Sequence, residues 1–255
     1  MGESAPTVTL RADDIAAARD IQMSILPPHM PLVQGYDMYG CLRPAEDTGG
    51  DMFDLVALEQ GVFILLGDAT GHGFGPALCA TQMQAMFRVA FRVGADLDEA
   101  YIHVNNQLDE DLPDDRFVTA FAGFLDPLSH RIRYFSAGQG PILHYQAATT
   151  TCQWYGPTIF PLGTMTVDCA GPARELVLAP GDILAVLSDG VYEYEGSGEI
   201  FGRERVAALF RRWSGGPMAD LSDYLLAQLT QFGGNADQQD DLTIVLVRRV
   251  STGEK

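Results

Sequence analysis

Basic residues are scarce. The chain carries 16 lysines and arginines against 34 aspartates and glutamates, a formal net charge of −18. So acidic a surface repels phosphate backbones and anionic headgroups, which argues against nucleic acid or a membrane as the main partner. Cysteine is sparse as well: Cys41, Cys79, Cys152 and Cys169 stand far apart with no Cys-x-x-Cys pair. They read as reduced core thiols of a cytoplasmic protein rather than as a disulfide framework. No apolar run approaches the roughly 18 residues of a membrane span, and no signal peptide opens the chain. His29, His103, His130 and His144 fall in no metal-like spacing and are expected to be surface or packing residues.

What is present is a large apolar fraction, 47% of 255 residues, ample for a substantial core. Residues 1–9 read as a loose leader. The stretch "ADDIAAARDIQMSIL" (12–26) reads as a helix ended by Pro27-Pro28, with Ile15, Ala18, Gln22 and Ile25 along one stripe. Strands are expected at 36–45, 52–58 and 62–66, the last two forming a hairpin around Glu59-Gln60-Gly61. "PALCATQMQAMFRVAFRV" (76–93) is apolar on nearly every face and should be a well-buried helix; a more amphipathic one follows near 97–108. Two strands around Asp126-Pro127 come next, then short strands near 141–146, 152–155 and 174–178. A strand at 181–190, helices at 203–213 and 218–232, and a last strand at 240–250 complete the chain.

Several strands begin or end at an aspartate. Asp68 follows "VFILL" and Asp189 follows "ILAVL"; Asp51 and the pair Asp240-Asp241 precede strands. Aspartate and glycine are ordinary turn residues, so any one of these positions alone reads as a turn. In antiparallel pairing, however, the end of one strand lies beside the start of its neighbour, so all four positions can meet at one edge. Clustered carboxylates resist joint ionisation unless a cation sits among them, and oxygen-only ligands suit hard ions such as Mg²⁺ or Mn²⁺. Gly49, Gly50 and Gly67 are expected to leave room beside the carboxylates, and Gly71 and Gly73 to let the backbone approach a ligand.

The succession "GGDMFD", "GDATGHGFGPAL", "FVTAFAGFLD", "SAGQGP", "LAPGDILAVLSDGVYE", "DDLTIVLV" resembles the bacterial stage II sporulation protein E/RsbU-type serine phosphatases, a branch of the metal-dependent PPM (PP2C-like) protein phosphatases. The resemblance covers about Ala17 to Arg249. It implies an α+β fold, a four-layer α-β-β-α sandwich with two central antiparallel sheets, preceded by an N-terminal linker helix. Residues 1–30 would be leader and linker helix, and 31–255 the phosphatase domain. It also implies a binuclear Mn²⁺ or Mg²⁺ centre held by Asp51, Asp68, the Ala69 carbonyl, Asp189 and Asp240, with Asp68 bridging and Asp241 a neighbour. A metal-bridging hydroxide would attack phosphoserine or phosphothreonine on a regulatory protein, by resemblance a STAS-domain anti-sigma-factor antagonist.

The usual "NAGH" of the family reads "SAGQ" here, Ser136 to Gln139, which removes any polar role of the asparagine and histidine. His72 is expected to position the loop, and Arg43 to meet either a carboxylate or substrate phosphate. The competing readings are a phosphatase-like binding module without activity and a hydrolase of small phosphoesters. The resemblance further implies an upstream sensor or receiver module. The apolar side chains of the linker helix raise the expectation of a homodimer formed through it, or of a helix folded back on its own domain.

Overall fold

The structure, a computed structural model, describes residues 12–71, 73–196 and 198–250. The expected leader at 1–9 and the side chain of His72 lie outside them. The helices are α1 (Ala12–Ile25), α2 (Phe74–Arg92), α3 (Leu97–Asp111), α4 (Asp189–Tyr192), α5 (Arg203–Arg212) and α6 (Met218–Gly233). The strands are β1 (Tyr36–Arg43), β2 (Asp51–Leu58), β3 (Gly61–Ala69), β4 (Val118–Asp126), β5 (Arg131–Ala137), β6 (Ile142–Gln146), β7 (Thr151–Tyr155), β8 (Arg174–Val177), β9 (Ile183–Leu187), β10 (Glu195–Gly196), β11 (Glu199–Ile200) and β12 (Leu242–Arg249).

Alternation along β3 shows how the layers arise. Val62, Ile64 and Leu66 point one way, Phe63 and Leu65 the other, and all are fully buried. The first set joins Phe53, Phe121, Val186, Val245 and Val247 in a core between two sheets. The second joins Met83, Phe87, Tyr101 and Val104 of α2 and α3 in a core outside the sheet. A third core lies on the far side, where Ala185, Ile244 and Leu246 meet Leu209, Phe210, Leu221 and Leu225 of α5 and α6. The result is helices, sheet, sheet, helices. One sheet has the order β1-β12-β9-β6-β7 and the other β2-β3-β4-β5-β8, with every adjacent pair antiparallel. This is the expected sandwich. Helix α3 starts at a capping box in which Asp96 accepts from the Glu99 amide and Glu99 from the Asp96 amide.

One charge is buried in the outer core. Asp54 is fully buried and forms a two-pronged ion pair with Arg88 of α2, at 2.5 Å to Nε and 3.0 Å to Nη2. Gln84 adds a third donor at 3.2 Å. Arg88 Nη2 and Gln84 Nε2 also donate to the carbonyl of Ile25, at 3.2 and 3.0 Å, so the last residue of α1 is fastened to the same cluster. Replacing Arg88 by Met strands a buried carboxylate. Chemical denaturation should register a loss of about 3–5 kcal/mol, much of it recovered when Asp54 is made Leu as well.

Candidate functional site

Asp51 and Asp68 face one another directly in the β2–β3 ladder, so their side chains share one face of the sheet. Asp51 opens β2 and Asp68 lies within β3; both belong to the strands rather than to the flanking turns. Thr119 of β4 stands opposite Asp68 on its other side. In the second sheet, β9 stops at Leu187, which pairs near Ile244 of β12. The strand expected to run to 190 therefore ends earlier, and Asp189 is the first residue of the short helix α4, with Ser188 in extended conformation before it. Asp240 and Asp241 immediately precede β12.

Hydroxyls tie the two sheets together at this edge. Thr243 Oγ1 donates to Asp51 Oδ2 at 2.5 Å. Ser188 Oγ accepts from the Thr243 amide at 2.9 Å and donates to the Asp241 carbonyl at 3.1 Å. Asp241 is a clamp. Its Oδ1 accepts from the Ala45 amide at 2.8 Å and its Oδ2 from the Asp51 amide at 3.2 Å. A Cβ on Gly49 would stand 1.9 Å from Asp241 Oδ2, and one on Gly190 would stand 2.2 Å from the Asp241 carbonyl, so both glycines are dictated by space. A Cβ on Gly50 would come within 2.6 Å of the Ala69 carbonyl oxygen, so glycine keeps that oxygen open. Gly67 does something else than expected. Its missing Cβ makes room for Met83 of α2, whose Cε would lie 2.4 Å away, not for a carboxylate.

The electrostatics are those of crowded carboxylates. Burial, then Asp189, Asp240 and Asp241, push the Asp68 carboxyl up to about 8. Burial, then Asp68 and Asp241, hold Asp51 well above the usual carboxylate range. Asp189 is raised by burial, Asp240 and Glu193. Such a set favours a multivalent cation over protons near neutral pH. Its donors are all oxygens, carboxylate and carbonyl, which fits Mg²⁺ or Mn²⁺. Among the described residues no three His, Cys, Asp or Glu side chains form a ready-made cage. Ions that retain several of their waters need none.

Residues 59–250 match the family described as Stage II sporulation protein E (SpoIIE). The chain belongs to the SpoIIE family. It is 21% identical over 236 residues to phosphoserine phosphatase RsbU of Bacillus subtilis, covering 92% of this chain and 70% of that protein. Among solved structures it is similar to the SiaA-PP2C domain of Pseudomonas aeruginosa, with a TM-score of 0.79, 22% identity, and 94% and 96% of the two chains covered. It is also similar to the RsbU and RsbW domains of Rv1364c from Mycobacterium tuberculosis, with a TM-score of 0.73, 27% identity, and 87% and 62% covered. The fold is therefore PP2C-like.

As a SpoIIE-family chain, this one uses its "SAGQ" segment as a brace. Gln139 Nε2 donates to the Leu187 carbonyl at 2.9 Å, and its Oε1 accepts from Thr119 Oγ1 at 3.1 Å, bridging the two sheets beneath Asp68 and Asp189. Ser136 Oγ donates to the Gln139 carbonyl. Asp68, Thr119, Gln139, Asp189 and Tyr192 line a small cavity of about 80 Å³. The Tyr192 hydroxyl is anchored on the Gly140 carbonyl at 3.0 Å. Sequence reasoning missed Thr119, Ser188, Tyr192 and Thr243. Ser188 and Thr243 each adjoin a flagged aspartate or its strand, but a hydroxyl there carries no pattern of its own.

Helix α1 reaches the site. Gln22 is buried, and its amide pairs with the Gly49 backbone in both directions, Nε2 to O at 2.7 Å and N to Oε1 at 3.2 Å. The signal was present: a lone amide on an otherwise apolar stripe. Among the remaining candidates, Arg43 is exposed and makes no ion pair among the described residues, so the expected salt bridge is not formed. His144 is buried 3.0 Å from Asp182, a packing role; His29 and His103 are exposed, and His130 meets the Tyr36 hydroxyl.

Proposed function

We propose that the chain is a metal-dependent protein serine/threonine phosphatase. The observation that carries the reading is the convergence of Asp51, Asp68, Asp189 and Asp240 on one edge of a PP2C-like sandwich, where burial and then Asp189, Asp240 and Asp241 raise Asp68 to about 8. These four carboxylates and the Ala69 carbonyl would hold two Mn²⁺ or Mg²⁺ ions. Such ions supply Lewis acidity toward a phosphoryl group and an activated water. The protein's own part is positioning. Thr243 holds Asp51 from one side and the clamp of Asp241 holds its backbone, so the carboxylate cannot turn away. Gln139 ties Thr119 of β4, which faces Asp68, to the Leu187 carbonyl at the end of β9, two residues before Asp189. Burial pushes the Cys41, Cys79 and Cys152 thiols up, away from a nucleophile's range, and Cys169, expected as a core thiol, is instead exposed and lines no part of the aspartate cavity. Among the described residues no helix is long and apolar enough to cross a membrane.

The substrate is a phosphoserine or phosphothreonine protein, and the named activity of RsbU favours phosphoserine. A STAS-domain anti-sigma-factor antagonist fits the pairing of RsbU and RsbW domains in the mycobacterial relative. Mn²⁺-dependent release of phosphate is the test, comparing a phosphoserine protein with p-nitrophenyl phosphate, free phosphoserine and nucleotides. No hydrolysis of any of them would favour the binding-module reading; preference for nucleotides would favour a small-phosphoester hydrolase.

Signal input through α1 belongs to the same proposal, from an upstream sensor or receiver module and a second copy of the chain. Ile25 and Leu26 pack on the domain's own core, which leaves Ile21, 62% exposed, and Met23, 36% exposed, as the apolar surface for pairing. Ile21→Glu combined with Met23→Glu should convert a dimer to a monomer in sedimentation. A monomeric parent protein would end the dimer idea.

A further inference from the structure

Charge is missing from one stretch of surface. The chain has 16 basic and 34 acidic residues among 255, yet not one of them lies between Tyr134 and Val167. Burial accounts for this in β5 and in most of β6, but residues 156–167 form a loop that is largely exposed. That loop is firmly held. Asn105 of α3 donates to the Met165 carbonyl at 2.9 Å and accepts from the Gly163 amide at 3.2 Å. Its neighbour Asn106 binds the Val167 backbone in both directions, each at 2.9 Å. Leu162 exchanges two backbone hydrogen bonds with Val118, and Ile159 and Leu162 pack into the outer core. Phe160, 65% exposed, and Met165, 47% exposed, stand out from this fixed frame.

The loop borders the aspartate cavity. Pro161 Cγ lies 2.7 Å from where a Cβ on Gly138 would stand, and Pro157 Cδ 3.7 Å from where one on Gly140 would stand. Both glycines line the cavity together with Asp68 and Asp189. At about 80 Å³ that cavity has the volume of two or three waters, so it admits the phosphoester end of a substrate and little else. The rest of a protein partner has to lie on the rim. A chain of net charge −18 repels a phosphorylated partner over most of its surface. The uncharged loop does not, and what it offers is apolar contact. Depletion of charge with an exposed phenylalanine and methionine is the composition of an interface centre, and a frame already fixed spares the cost of ordering it on binding.

We propose that Phe160 sets substrate selectivity by receiving an apolar side chain that flanks the phosphoserine of the partner protein, with Met165 extending the same surface. The inference rests on the phosphatase reading for its phosphoserine, and its test separates the two. The full chain with Mn²⁺ is given a phosphoserine peptide with leucines on both sides of the phosphoserine, the same peptide with alanines there, and p-nitrophenyl phosphate, which has no flanks. The parent protein should show a KM about tenfold lower for the leucine peptide, the scale of burying one apolar side chain. Phe160→Ala should raise that KM to the value for the alanine peptide, with kcat and the constants for the other two substrates little changed. Phe160→Leu should keep most of the preference. Leu128→Ala, which removes a still more exposed apolar group from the β4–β5 turn, should leave the preference intact. Equal KM for the two peptides in the parent, a loss in Phe160→Ala that extends to p-nitrophenyl phosphate, or an equal effect of Leu128→Ala would each overturn the assignment. If the chain hydrolyses none of the three, the phosphatase reading falls, and fluorescence anisotropy of the two labelled peptides in Mg²⁺ decides the surface. Tighter binding of the leucine peptide that depends on Phe160 would leave the surface standing; no such preference would end it.

Discussion

Asp68→Asn and Asp189→Asn are each expected to lose Mn²⁺-dependent turnover by roughly a thousandfold, beyond the 10–100-fold typical of groups that only orient a ligand. The amide is nearly isosteric, so the loss is one of charge rather than shape. The metal-free proteins should be as stable as the parent or more so, because each substitution removes one member of a crowded, partly buried set of like charges. Asp68 is raised by burial and by Asp189, Asp240 and Asp241, and Asp189 by burial, Asp240 and Glu193, the Gly190 amide offsetting only part of the latter. Turnover assays with Mn²⁺ titration and thermal melts in chelator would check both halves. Near-parental activity of either variant would remove it from the ligand set.

The second large effect is on stability against pH in the absence of metal. The Asp68 carboxyl stands at about 8 in the folded chain and near 3.9 unfolded. Between those values the folded state holds a proton that the unfolded state has released, so stability falls as pH rises. The contribution is full below about pH 4 and gone above about pH 8, a span worth on the order of 5 kcal/mol for one such group. Asp51, raised in the same direction, adds to the slope. Denaturant melts of the chelated protein should therefore show lower stability at pH 8 than at pH 5.5. Saturating Mn²⁺ or Mg²⁺ should abolish or reverse the trend, and Asp68→Asn should flatten it. A metal-free protein equally stable at both pH values would show that the carboxylates are not crowded as described.

Much of the architecture was legible because it depends on period and punctuation. Strand alternation and the aspartates at strand ends were enough to suggest that Asp51, Asp68, Asp189 and Asp240 meet at one edge, while the four-layer sandwich followed from the family resemblance carried by the motifs in order. What escaped is set by tertiary contact. Asp54 sits in the quoted "GGDMFD" beside Asp51, yet only the position of Arg88 on α2 shows that it anchors a helix. Gly67 resembles the site glycines, and only Met83 distinguishes it. The four-residue α4 and the β10–β11 ribbon are too short for periodicity to register. Gln139 brace-building follows from register between two sheets, which no local pattern encodes.

Two bolts hold α1 to the domain, the Gln22–Gly49 amide pair and the Ile25 carbonyl under Arg88 and Gln84. Three residues separate them, about 4.5 Å of helix, while the arm from Ile25 back to Ala12 runs about 20 Å. Were α1 to pivot at Ile25, it would act as a crank with a gain of about one quarter at Gln22. A sideways swing of about 4 Å at the Ala12 end displaces Gln22 by about 1 Å, enough to carry a 2.7 Å hydrogen bond beyond bonding range. Gly49 lies against the Asp241 carboxylate that holds the Asp51 amide, so under the proposed input through α1 a modest torque at Ala12 would arrive, geared down, at the first of the four aspartates.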